Sequence, residues 1–239
     1  MFKTINWCGY TWDCCMDSDR VVREETPYMW CDESMINVTE NGVLVLDACY
    51  KPKKIQNWEG KIFHTKYGVG TIVSNNAEQF SYGKYSCEIQ VPEGNNCWVS
   101  FWLTGANSWP PEIDIMEAFQ YVSTYFKFLI PQPPYVVPSW WLTTNLHYTD
   151  SNGKHASFGS RGTPLCKLLK NPSKNFVKYE CEWLPDRITF YVNGKKLREI
   201  KNYPHIDNQM RVVFDCWGQE NNFVVTKPMK CKNFKYEPI

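Results

Sequence analysis

Three carboxylates fall within six residues at Glu112-Ile-Asp-Ile-Met-Glu117, interleaved with Ile113, Ile115 and Met116. Two carboxyl groups held ~5–5.5 Å apart can cleave a glycosidic bond with retention, one as nucleophile and one as proton donor. The backbone decides whether these acids can meet. On a helix they sit near roughly 0°, 200° and 140°, on no common face. On a strand Glu112 and Asp114 share a face, and Glu117 has the wrong parity. One extra residue at Ile115 or Met116, a β-bulge, returns Glu117 to that face. Glu112 and Glu117 are then four pleated positions apart, about 13 Å between Cα atoms at ~3.3 Å each, a gap two glutamates can close by leaning together. The bland alternative is a solvated acidic face. It is disfavoured because like charges on one β face repel.

Aromatic side chains flank the acids. Trp98 and Trp102 are four residues apart in Cys97-Trp-Val-Ser-Phe-Trp-Leu103 and so share one face of a strand. Two core tryptophans would read the same way. Apolar faces of sugar rings stack on aromatic rings, so tryptophans beside acids favour a sugar-binding role for at least one. Trp109, two residues before Pro111, is placed to line the rim. Met210-Arg-Val-Val-Phe-Asp-Cys-Trp217 is a further strand that ends in another candidate platform, Trp217. His147 alternates with Leu146 and Tyr148, sharing its face with Asn145. A lone histidine is more often structural, and here it is weighed evenly against a reach to the acids or a sugar.

The elements that must position these groups read as short strands between turns. Asn41-Gly42 is a turn followed by a buried strand over Val43–Ala48. Phe80-Ser-Tyr-Gly-Lys-Tyr85 enters a strand running to Val91, with a turn at Pro92–Asn95. Phe126–Ile130 could be a strand. Pro131–Pro138, with four prolines, excludes regular structure. Phe176–Gly194 alternates Val177, Tyr179, Cys181 and Trp183 with Lys178, Glu180 and Glu182, and closes on the tight turn Asn193-Gly194. Met229–Tyr236 is a final strand. Frequent turns and few helical periods argue an all-β sandwich.

The six-residue acid motif matches the laminarinase-like form of the bulged E-x-D-x-x-E pattern letter for letter, and resembles glycoside hydrolase family 16. Phe80–Tyr85, Cys97–Leu103, Asn145-Leu-His-Tyr148 and Phe176–Gly194 resemble further strands of that family. Val99 stands where the family usually has proline, and the Thr104–Pro111 loop is shorter than in typical laminarinases. The resemblance covers roughly residues 41–120 and 143–236. It implies a curved two-sheet jelly roll with a substrate groove on the concave face. By that resemblance Glu112 is the nucleophile, Glu117 the acid/base, and Asp114 the group between them that holds the charge of Glu112 and raises the proton affinity of Glu117. It also places the strands of Trp102, Trp217 and Trp98 at the groove, with Trp102 and Trp217 taken as platforms, and sets the reach of His147 to the acids or a sugar at even odds; Trp109 joins the substrate-binding candidates from its place at the rim.

Composition narrows the rest. The 239 residues suit one large all-β domain as well as two small domains; with no linker or repeat the chain is taken as one domain, 1–239. A net charge of +1 gives no reason to expect nucleic acid or an acidic membrane as partner. No apolar run approaches the ~18 residues that span a bilayer. Met1–Trp12 lacks the layout of a signal peptide, so either a signal was removed or export follows another route. Eleven cysteines, an odd count, show no metal spacing and no disulfide framework, so most are expected reduced and buried.

The expected activity is endo-acting, retaining hydrolysis of a β-linked polysaccharide, led by a β-1,3- or mixed-linkage glucan. A β-galactan such as agarose, porphyran or carrageenan is the alternative, and a non-catalytic carbohydrate-binding sandwich is the rival class. No cofactor or catalytic metal is required. The resemblance allows a structural Ca²⁺ whose ligands cannot be assigned. The protein is expected to be a monomer acting outside the cell or at its surface.

Overall fold

In the computed structural model, the structure describes residues 3–15, 28–56, 60–78, 80–121, 139–159, 163–164, 171–206, 209–218 and 223–239. The readings made for Phe126–Ile130 and Pro131–Pro138 lie outside them. Runs of β-branched and aromatic residues become strands throughout, and the only helical element among the described residues is a short 3₁₀ turn at Glu33–Met35. The strands are β1 (Thr4–Trp7), β2 (Tyr10–Cys14), β3 (Met29–Cys31), β4 (Ile36–Val38), β5 (Leu44–Leu46), β6 (Ala48–Gln56) and β7 (Ile62–Val69). There follow β8 (Thr71–Ser74), β9 (Gly83–Gln90), β10 (Glu93–Asn95), β11 (Cys97–Gly105), β12 (Glu112–Tyr121), β13 (Ser139–Thr149) and β14 (His155–Ser157). The last are β15 (Thr163–Pro164), β16 (Val177–Leu184), β17 (Arg187–Val192), β18 (Lys195–Lys201), β19 (Met210–Gly218), β20 (Val224–Lys227) and β21 (Met229–Pro238).

Two large sheets form the sandwich. One runs β1-β2-β8-β19-β11-β12-β13-β14, with β15 also on β13; the other runs β18-β17-β16-β9-β21-β5-β4. Strands β9 and β16 alternate buried and less buried positions, as expected where one face meets the core and one meets solvent. Their Tyr85, Cys87, Ile89, Tyr179, Cys181 and Trp183 share a single core cluster with Phe101, Ile113, Leu146 and Phe214 from the first sheet. The β17–β18 hairpin closes on Asn193 and Gly194 with φ of 49° and 74°, the two left-handed positions that this tight turn demands. Pro92–Asn95, read as a plain turn, contributes instead the short β10. It pairs with β20, a partner 130 residues away that local turn chemistry does not reveal.

Strands β11 and β19 depart from simple alternation and are buried along nearly their whole length. The reason is a third layer. A small sheet β3-β7-β6, with β3 and β7 parallel, contributes Met29, Ala48 and Val69 to a second cluster with Val73, Trp102, Val213, Trp217 and Phe223. The face of the first sheet turned away from the main core is therefore covered over β8, β19 and β11.

Candidate active site

On β11, Cys97, Val99, Phe101 and Leu103 enter the main core, which sends Trp98, Ser100, Trp102 and Thr104 to the opposite face. The same parity on β19 sends Val213, Asp215 and Trp217 there, and on β13 Thr143, Asn145 and His147. The acids of β12 lie between those two flanking strands, and the slip needed to align them is present. Asp114 pairs with Asn145 and Glu117 with Thr143, so three steps on β12 match two on β13. Phe101 faces Met116 while Trp102 faces Asp114, so β11 sees the same slip. Ile115 and Met116 both enter the main core, the two consecutive inward side chains a bulge allows. Glu112, Asp114 and Glu117 thus share the face that carries Trp102 and His147.

Each acid has a distinct setting. Glu112 Oε2 accepts the indole N–H of Trp109 at 2.8 Å. The Nε2 of His147 lies 3.6 Å from Glu112 Oε1 and 3.3 Å from Asp114 Oδ2. Thr143 donates its hydroxyl to Glu117 Oε2 at 3.0 Å. Asp114 is buried, and its Oδ2 accepts no hydrogen bond.

The histidine tautomer follows from its neighbours. Asn145 Oδ1 accepts the Leu146 N–H at 2.9 Å, so the amide nitrogen faces His147 Nε2, 3.0 Å away. That nitrogen can only donate, so Nε2 accepts and the ring proton sits on Nδ1. Nδ1 in turn donates to His155 Nε2 at 2.8 Å. A lone pair on Nε2 facing an ionised Asp114 would be repulsive, and a buried, unbonded carboxylate oxygen is costly. Protonating Asp114 relieves both.

The proton affinities agree with this picture. Burial, and then the charge of Glu117, hold Asp114 well above the usual carboxylate range. Burial, and then the charge of Asp114, push Glu112 up to about 8, against a lowering by the Trp109 hydrogen bond. Two carboxyl groups this close do not ionise together, so the pair holds a shared proton near neutral pH.

The aromatic candidates separate into two kinds. Trp102 and Trp217 are only 8% and 9% exposed. Trp102 donates to Asp215 Oδ2 at 2.7 Å, and Trp217 donates to Thr71 Oγ1 at 3.0 Å. Little of either ring is open to a sugar in this structure. Trp98 is half-buried and sits edge-on to Trp217, with ring centroids 6.4 Å apart. Trp109 is 55% exposed and, beyond lining a rim, bonds Glu112 directly. Sequence reasoning passed over Asp215 and His155. Asp215 had a usable signal, a lone acid in an apolar strand two residues before Trp217. His155 had none, because only the return of β14 along β13 brings it beside His147.

Glu112, Asp114 and His147 also offer ligand atoms within 4.8 Å of one another, a set that could hold a cation. Two carboxylates and an imidazole suit a transition metal better than Ca²⁺, which takes six to eight oxygens.

The family model described as glycosyl hydrolases family 16 matches residues 36–227. The chain is 32% identical over 78 residues to the endo-1,3-1,4-beta-glycanase ExsH of Rhizobium meliloti (strain 1021), covering 32% of this chain. It spans only 16% of the length of that curated relative. Among solved structures it resembles a Bacteroides ovatus mixed linkage glucan GH16 protein in complex with a G4G4G3G product, with a TM-score of 0.68 and 18% identity over 95% of this chain and 94% of the other. It also resembles porphyranase B of Zobellia galactanivorans, with a TM-score of 0.67 and 17% identity over 94% and 85%. At these identities the structural likeness is one of fold. The match over most of its length makes this chain a member of glycosyl hydrolases family 16.

Proposed function

We propose that the protein is an endo-acting, retaining glycoside hydrolase that cleaves a β-linked polysaccharide, a β-1,3- or mixed-linkage glucan. The observation that carries this reading is the bulge at Ile115–Met116, which sets Glu112, Asp114 and Glu117 on one face. Residues 1–239 serve as one catalytic domain, a monomer, and the substrate lies along that face in a groove. Glu112 attacks the anomeric carbon while Glu117 protonates the leaving oxygen; Glu117 then takes a proton from water as the glycosyl-enzyme is hydrolysed. The shared proton passes to Asp114 as Glu112 attacks, and Asp114 then donates it to Glu112 in hydrogen bonding, so that the nucleophile is ionised at that step. The chemistry requires no cofactor. Trp109 and Trp98, with more exposed rings than Trp102 and Trp217, take the larger part of sugar stacking. A polymeric substrate implies work outside the cell or at its surface.

A second reading, an anionic β-galactan, is favoured by one feature of the β6–β7 hairpin. Lys51, Lys53, Lys54, Lys61 and Lys66 are exposed on it, although the chain as a whole carries only +1. Tyr50 and Tyr67 of the same hairpin meet edge to face, and Tyr67 packs on the cluster containing Trp102 and Trp217. The test is reducing-sugar release across laminarin, mixed-linkage glucan, agarose, porphyran and carrageenan. Proton NMR of the first product gives the anomeric outcome. Release from a glucan with retention is expected. Release confined to sulfated galactans supports the second reading, and inversion refutes the assignment of Glu112.

A further inference from the structure

We propose that His155, on the edge strand β14, is a positioning residue for the nucleophile; this rests on the reading of Glu112 given above. Its imidazole stands where two ring neighbours of Glu112 come together. One is Trp109, which donates to Glu112 Oε2 from a surface loop and is more than half exposed. The centroid of the His155 ring lies 4.9 Å from that of Trp109. The other is His147, whose Nε2 faces Glu112 Oε1 and Asp114 Oδ2. His155 meets it edge to edge in nearly the same plane, with centroids 5.1 Å apart and planes 14° apart, and accepts its Nδ1–H at 2.8 Å.

The physical consequence runs through both rings. An exposed indole on a loop samples several rotamers unless a neighbour packs on its face, and His155 is such a neighbour. An imidazole with an unmet Nδ1–H can flip and exchange its two nitrogens, and the bond to His155 holds it in place. Through Trp109 that side chain constrains Glu112 Oε2, and through His147 it fixes the ring that lies beside Glu112 Oε1 and Asp114 Oδ2. Attack on an anomeric carbon depends on that placement, since displacement of a reacting group by about 1 Å can cost on the order of 100-fold in rate.

The test uses three variants of the full chain on the best glycan found for the wild type. His155→Ala removes both contacts, His155→Phe keeps a ring against Trp109, and His155→Gln keeps an acceptor for His147. Expected is a loss in kcat of about 10- to 100-fold for Ala, partial recovery in Phe and Gln, KM within about twofold, and an unchanged melting temperature. The acid limb of kcat/KM should move to higher pH in His155→Ala, because the Trp109 hydrogen bond lowers the proton affinity of Glu112. The charged or titratable groups facing Glu112 are otherwise Asp114 on its own strand and His147 on β13; Asp215 and Glu117 act on Asp114. A wild-type kcat in His155→Ala, or losses that follow melting temperature in all three, overturns the proposal. If the wild type cleaves no glycan, the functional reading fails, and a crystal structure of His155→Ala still decides this one. A displaced Trp109 indole supports it, and a retained bond to Glu112 overturns it.

Discussion

Trp102 donates its indole N–H to Asp215 across 2.7 Å, joining β11 to β19 directly beside the register position of Asp114. Asp215 is fully buried, and its charge raises the proton affinity of Asp114. The most buried tryptophan of the face that carries the acids therefore anchors a charge as well as filling space.

Trp102→Phe should destabilise the protein by about 1–3 kcal/mol, the cost of a buried charge losing a donor. Trp98→Ala and Trp109→Phe should instead change kcat/KM on polymer with little shift in melting temperature. Urea melts and kinetics on the three variants decide the matter. A Trp102→Phe variant as stable as wild type, with a raised KM alone, would return Trp102 to the role of sugar platform.

Glu112→Gln should abolish turnover and leave folding intact. Glu117→Ala should lose activity on polymer and recover part of it on aryl glycosides, whose leaving groups need little protonation. The carboxyl separation of Glu112 and Glu117 in a crystal structure is expected at about 5–6 Å, and one near 9 Å would point to inversion.

Stability should depend on pH through Glu112. A carboxyl raised from 4.5 to about 8 binds its proton more tightly in the folded protein than in the unfolded chain. Its contribution is therefore complete below pH 4.5 and is lost as pH rises toward 8. At ~1.4 kcal/mol per unit the effect is on the order of a few kcal/mol. The melting temperature of the wild type should fall across this window, and Glu112→Gln should flatten the slope. Parallel slopes in the two proteins would show that Glu112 is not the group responsible.

The described cysteines are thiols, exposed at Cys8 and Cys49 and otherwise buried. Thiol titration in denaturant should give the same number with and without reductant. A lower number without reductant would reveal bridges and an oxidising compartment.

The bulge was legible from Glu117 alone, because parity is a local property and one misplaced acid forces one extra residue. The sandwich was legible from alternation in Phe176–Gly194. The burial of Trp102 and Trp217 was not. Parity assigns a face, and only the packing of Met29, Ala48 and Val69 from distant strands shows that this face is covered. His155 was equally out of reach, since its contacts come from the pairing of β14 with β13 and from the path of the loop that carries Trp109.

Deleting one residue from the middle of a strand ordinarily turns every later side chain inside out. In β12 the opposite is expected, because Ile115 and Met116 already point the same way. Removing Met116 would restore plain alternation: Ile115 stays inward, and Glu117 follows Asp114 by two positions and remains outward. The shortened protein should fold, by circular dichroism and a cooperative melt, with its three acids still on one side. This strand can thus lose a residue without scrambling the acids, so the bulge sets the reach between Glu112 and Glu117 rather than the face on which they stand.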